Sequence, residues 1–71
     1  MEYVSVSSSN IAAVGYDDET NTLGVRFLNG SEYQYANVPK EVYEGLLSAA
    51  SVGGYFDQHV KKAGYGFSRV G

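Results

Sequence analysis

The residues of this chain that could carry covalent or acid–base chemistry are few: His59, the Ser7-Ser8-Ser9 triplet, and the acids Asp17, Asp18 and Glu19. Nucleophilic catalysis needs a serine or cysteine beside a base that a third group orients. Cysteine is absent and His59 is the only histidine, so all three serines would compete for one base. The three acids fall in residues 17–21, where Asp and Asn side chains bond their own backbone and make a turn. One histidine with clustered turn acids is a poor start for a zinc site. Gly53-Gly54 can offer backbone N–H groups to a phosphate, but it lacks the glycine spacing and the lysine of a P-loop. The chain therefore carries no enzyme motif and implies no cofactor. What remains is recognition by rings and cations. There are seven tyrosines and no tryptophan in 71 residues. Tyr16, Tyr33 and Tyr35 lie on strand-like segments with Arg26 beside them, and Tyr55, His59, Lys61 and Lys62 follow Gly53-Gly54 within ten residues. Tyrosine and arginine suit the π-faces of unpaired bases. The same rings can equally fill a thin core whose edges touch water.

Which of these roles applies depends on the elements that carry the rings. Residues 23–28 and 31–36 alternate apolar with polar or small side chains around Asn29-Gly30, the strongest short-range hairpin signal. Two registers are open. A tight two-residue turn sets Phe27 opposite Glu32 and Val25 opposite Gln34, leaving Tyr33 and Tyr35 on the other face with Arg26 as an aromatic and cationic platform. A three-residue loop with Gly30 in a bulge sets Val25 opposite Tyr33 and lets Arg26 meet Glu32. The bulged register gathers the large apolar residues on one face and pairs the charges. It is the preferred one, and it makes both tyrosines mainly structural, with hydroxyls at the sheet edge.

Upstream, residues 4–7 and 11–16 read as two further strands separated by the serine triplet. After Val38 the period changes to that of a helix. Pro39 suits a first helical position, and Val42, Tyr43, Leu46, Leu47 and Ala50 follow helical spacing. Ser51 can cap a second helix bearing Tyr55, Phe56, His59 and Val60, with Gly64 as its stop. The tail, residues 65–71, is a short final strand or a loose end. The expected fold is a single α+β domain over residues 1–71, a three- to four-stranded antiparallel β-meander followed by two short helices on one sheet face.

Size and charge narrow the partners. A chain this short without disulfides often gains stability by association, so a homo-oligomer is expected. Residues 1–6 have neither a basic region nor a long apolar run, which reads as neither signal peptide nor membrane anchor and points to the cytoplasm. The net charge of −3 argues against a broad polyanion binder, and no duplex DNA partner is expected. Charge is unevenly spread: residues 1–38 hold five acids and one base, whereas no acid follows Gln58. His59, Lys61, Lys62 and Arg69 thus form a small basic end, of the kind that also simply complements a helix dipole.

Several runs together resemble one family. They are Val4-Ser-Val-Ser-Ser8, Ile11-Ala-Ala-Val-Gly15-Tyr16-Asp17, Leu23-Gly-Val-Arg-Phe27 and Gly30-Ser-Glu-Tyr33-Gln-Tyr35. Val38-Pro39, Tyr43-x-x-Leu46, Ala50-Ser51-x-Gly53-x-Tyr55-Phe56 and Val60-Lys61 complete the set. The chain is similar in these to the KTSC domain, named for its place at the C-terminus of some lysyl-tRNA synthetases and also found as free-standing bacterial and phage proteins. That resemblance implies no catalytic residues. It implies RNA binding only through the synthetase context, and a fold does not fix a function. The reading is a non-enzymatic module that recognises a nucleotide or single-stranded RNA segment by tyrosine stacking plus a few Lys, Arg or His contacts. One small nucleotide needs only a pocket with two or three donors, so a phage-type protein sequestering a signalling nucleotide between subunits would fit the acidity. The alternative is a protein-interaction or homo-oligomeric assembly module with no nucleotide ligand.

Overall fold

A computed structural model describes all of residues 1–71. Five antiparallel strands follow one another in sheet order as in sequence: β1 (Tyr3–Ser5), β2 (Ile11–Asp17), β3 (Thr22–Phe27), β4 (Glu32–Tyr35) and β5 (Phe67–Arg69). The α+β class stands, with one strand more than the three or four expected. The tail is that fifth strand, because Phe67, Ser68 and Arg69 pair with Tyr35, Gln34 and Tyr33. Two helices, α1 (Lys40–Ser48) and α2 (Val52–Phe56), lie between β4 and β5 in the chain. No helix is long and apolar enough to cross a membrane.

The β3–β4 hairpin takes the bulged register. Val25 pairs with Tyr33 and Arg26 with Glu32, and Phe27 N–H donates to Ser31 C=O at 2.9 Å across the loop. Gly30 sits at φ +94°, which only glycine adopts without strain. Alternation then sends Leu23, Val25, Phe27, Tyr33 and Tyr35 to one face. A second irregularity lies in β2, where the register shifts between Ile11 and Ala13. The extra residue lets both Ile11 and Val14 point into the core despite their odd spacing.

Helices cover that face. Leu46 of α1 and Val52 and Phe56 of α2 join Ile11, Val14, Leu23, Val25, Tyr35 and Val38 in one buried cluster. Ser51 caps α2 as its residue type suggests, its hydroxyl accepting from Gly54 N–H at 3.2 Å. Beyond Phe56 the helix widens into a π-turn over Asp57–Lys61, closed by Lys62 N–H donating to Asp57 C=O at 3.1 Å. Such turns are rare and shift the face that a helix presents. This one keeps Val60 buried while Asp57 and Lys61 border a cleft against the sheet.

The far face of the sheet has its own cover. Gly15 and Gly24 are register partners in β2 and β3, and the Tyr3 ring lies across Gly24. Tyr3 donates its hydroxyl proton to Glu32 Oε2 at 2.8 Å, and the Arg26 guanidinium sits 3.9 Å from the Tyr3 ring centroid while its Nε reaches Glu32 Oε1 at 3.0 Å. Gly24 makes room for the ring, and the ring, cation and acid close over it, whereas Gly15 makes room for the Glu2 carbonyl and the Met1 side chain.

Candidate functional site

The largest concavity, about 810 Å³, opens between the β3–β4–β5 end of the sheet and the α2–π-turn segment. Its walls are aromatic: Phe27, Tyr33, Tyr35, Phe56, Tyr65 and Phe67. The sequence brings them together by two devices. The bulged hairpin places Phe27, Tyr33 and Tyr35 on the helix face, and pairing of β5 against β4 lays Phe67 beside them.

Their geometry is graded from floor to mouth. At the floor, Phe56 stands edge-on to Phe27 and to Tyr35, with centroids 5.7 and 5.6 Å apart and interplanar angles of 78° in both pairs. These near-perpendicular contacts are favourable for aromatic quadrupoles and fix the floor. Phe67 leans over Tyr33 and Tyr35 at 5.9 and 5.4 Å. Yet it remains 63% exposed, the most exposed large apolar residue of the chain. Tyr33 and Tyr65 are half-buried. Phe67, Tyr33 and Tyr65 thus offer apolar faces to anything flat that enters, whereas Tyr35 and Phe56 are packed away. Burial, with the neighbouring Tyr33 as a smaller cause, pushes the Tyr35 hydroxyl above its ordinary range, so it stays protonated at neutral pH.

The rim is polar and nearly balanced in charge. Asn29 Oδ1 accepts from both the N–H and the hydroxyl of Ser31, at 3.0 and 2.7 Å, which rigidifies the hairpin side. On the helix side Asp57 lies 4.0 Å from Lys61 Nζ and 3.7 Å from Lys62 Nζ. Long pairs between exposed side chains are loose and worth little, so both ammonium groups can reorient toward an anion. Ring faces and one or two movable cations are the chemistry that flat, weakly anionic groups require. It holds no assembled nucleophile, base and orienting group.

The eight residues singled out from sequence do not form one site. Tyr33, Tyr35 and Lys61 line the cleft and Lys62 stands beside it. Arg26 does not lie beside the tyrosines: the bulged register turns it to the far face, into the Tyr3–Glu32 cluster. Tyr16 stacks on Tyr43 at 5.5 Å and 20°, and donates its hydroxyl to the Val38 carbonyl, tying β2 to the start of α1. Tyr55 and His59 stack on each other one turn apart, centroids 4.2 Å apart, and Tyr55 lies over Gly45 of α1. That pair belongs to the helix–helix contact and is away from the cleft. Sequence reasoning missed Phe27, Phe56, Tyr65 and Phe67 as cleft residues, and Tyr3 as the lid of the far face. The alternation Tyr65-x-Phe67-x-Arg69 was the available signal for a strand that brings rings to the sheet.

Comparison with known proteins agrees with this architecture. The sequence profile of the KTSC domain matches residues 7–65. An uncharacterized protein of Stutzerimonas stutzeri is 40% identical over 70 residues, covering 99% of both chains. A lysine–tRNA ligase of Nostoc punctiforme is 40% identical over 53 residues, which are 75% of this chain but 9% of the ligase. A KTSC domain protein from Yersinia pestis, solved by crystallography, superposes with a TM-score of 0.86 at 35% identity, covering 99% of this chain and 97% of the other.

Proposed function

This chain belongs to the KTSC domain family, and we propose that it acts as a non-enzymatic binding module whose aromatic cleft accepts one unpaired nucleobase, carried by a free nucleotide or a single-stranded RNA segment. The observation that carries the reading is the exposed Phe67 ring set beside half-buried Tyr33 and Tyr65, with Lys61 on the opposite rim. The base stacks at the mouth on Phe67 and Tyr33, and its phosphate meets Lys61 and Lys62 once they leave Asp57. Relatives named as lysine–tRNA ligases support an RNA context, although the chain spans only 9% of their length in the example above. An overall charge of −3 favours a small ligand over a long polyanion.

Isothermal titration with nucleoside monophosphates and short single-stranded RNA tests this. Stacking contributes about 1–3 kcal/mol per base, so Phe67→Ala and Tyr33→Ala are each expected to weaken binding by roughly 5- to 150-fold. Lys61→Ala, Lys62→Ala together are expected to weaken binding and flatten its salt dependence. Absence of binding to any of these ligands, or binding indifferent to Phe67→Ala, contradicts the reading.

A second reading rests on the same exposed ring. Phe67 stands on an unpaired sheet edge, and a protein-interaction module would use it for contact with another chain. Binding that resists salt and survives loss of Lys61 and Lys62 favours this alternative.

A further inference from the structure

The outer edge of β5 has no strand beside it. Ala36 N–H donates to Gly66 C=O and Val70 N–H donates to Glu32 C=O, each at 2.8 Å. Backbone direction alternates along an antiparallel strand, so Gly66, Ser68 and Val70 turn their polar groups toward β4. The N–H and C=O of Phe67 and Arg69 therefore point away from the sheet, where β5 is the last strand. All three β5 residues are exposed, and Val70 next to them is 50% exposed.

We propose that two copies of this chain associate through β5, antiparallel, about a two-fold axis that passes beside Ser68. In that register Phe67 of one copy lies opposite Arg69 of the partner subunit, and the reverse. Each Phe67–Arg69 pair exchanges two backbone hydrogen bonds, giving four across the edge. The side chains agree with the backbone. Phe67 and Arg69 point to the helix face, so each exposed ring meets a guanidinium, which is attracted to an aromatic face. The two Arg69 side chains are diagonal to one another, not opposite. Ser68 meets Ser68 at the close, non-hydrogen-bonded position on the other face, where a small side chain is required. The interface is the same patch on both copies and closes on itself, unlike pairing of β5 with β1, which would propagate. Its consequence reaches the cleft: Arg69 of the partner subunit comes beside Phe67 at the mouth, adding a cation to a rim that holds Lys61 and Asp57. The pairing stands on the edge geometry and does not depend on what the cleft binds.

A cysteine trap tests it, because the chain has no cysteine of its own. Non-hydrogen-bonded partners lie about 4.5 Å apart between Cα atoms, inside the roughly 4.4–6.8 Å range of disulfides. Ser68→Cys is expected to form a covalent dimer under mild oxidation at least about tenfold faster than Ser5→Cys, an exposed control on β1. Adding Phe67→Arg, which sets like charges opposite, is expected to slow the cross-link about tenfold. Combining Phe67→Arg with Arg69→Glu sets opposite charges across the edge and is expected to restore the rate. Sedimentation of the unaltered protein is expected to show a monomer–dimer equilibrium. Cross-linking no faster than the Ser5→Cys control, indifference to the charge swap, or a monomer at every concentration overturns the proposal.

Discussion

Replacing Gly24 with alanine should destabilise the fold through one ring. A Cβ at Gly24 would lie 2.8 Å from Tyr3 Cζ and 2.7 Å from Met1 Sδ, and closer still to the Tyr3 hydroxyl. Neither distance is tolerated, so the ring must swing away. Displacement breaks the hydrogen bond to Glu32 and the stack under Arg26. A hydrogen bond to a charged partner contributes about 1.5–3 kcal/mol, its lower end applying at this partly exposed site. An exposed cation–π contact adds about 0.5–1 kcal/mol. Alanine is better than glycine in a strand by roughly 0.5–1 kcal/mol, which offsets part of the loss. The net expectation is about 1–2 kcal/mol, or roughly 5–15 °C in melting temperature for a domain of this size. Thermal melts followed by circular dichroism measure it. The decisive comparison is the same substitution in a Tyr3→Ala background, where the ring is gone and only the flexible end of the Met1 side chain has to move, so Gly24→Ala is expected to be neutral or slightly stabilising. An equal penalty in both backgrounds would refute the reasoning, because it would trace the effect to something other than the Tyr3 ring.

Further expectations follow from the same contacts. The Tyr3 hydroxyl is pushed up to about 12 by partial burial first, then by its bond and proximity to Glu32. Its folded form holds the proton more tightly than the unfolded chain, so its contribution is complete below pH 10 and is lost as pH rises toward 12. Solvent screening holds this contribution to about 1 kcal/mol, and Tyr3→Phe should flatten this alkaline limb in pH-dependent denaturation. Glu32, held low by the Tyr3 bond and then by Arg26, works in the other direction: its contribution is lost as pH falls through its folded value. Gly30→Ala meets no atom within 4 Å, yet it forces a side chain onto φ +94°, so chemical denaturation should show a loss of about 1 kcal/mol from backbone strain alone. Gly45→Ala would put a Cβ 3.0 Å from Tyr55 Cε1 and nearer still to the hydroxyl end of that ring. It should lower the melting temperature and disturb the Tyr55–His59 stack, which His59 ring proton shifts report.

The hairpin was readable because its signals are local and agree. Asn29-Gly30 marks the turn, and only the bulged register both gathers the apolar residues and joins Arg26 to Glu32. The Ser51 cap and the change of period after Val38 were readable for the same reason, although Pro39 stands extended just before α1 and Lys40 is its first helical residue. The far-face cluster was not, because Tyr3 meets Gly24 only after three strands have aligned. Nothing in the sequence near Tyr3 announces the glycine that lies beneath its ring. β5 was ambiguous because a three-residue strand has too short a period to be distinguished from a loose end. The cleft inherits that ambiguity: Tyr33 and Tyr35 were visible as a pair, but Phe67 and Tyr65 enter only with β5 in place. The π-turn left no residue-type signal, and it decides that Lys61 borders the cleft while His59 faces away with Tyr55.

Backbone amide shift mapping during titration with a nucleoside monophosphate addresses the cleft most directly. Perturbations centred on Ser31, Tyr33, Tyr35, Asp57, Val60, Lys61, Gly64, Tyr65 and Phe67, and abolished by Phe67→Ala, are the predicted result. Unchanged amides at saturating ligand, or shifts centred on Tyr55 and His59 or on the Tyr3–Arg26–Glu32 face, would contradict a base-binding cleft.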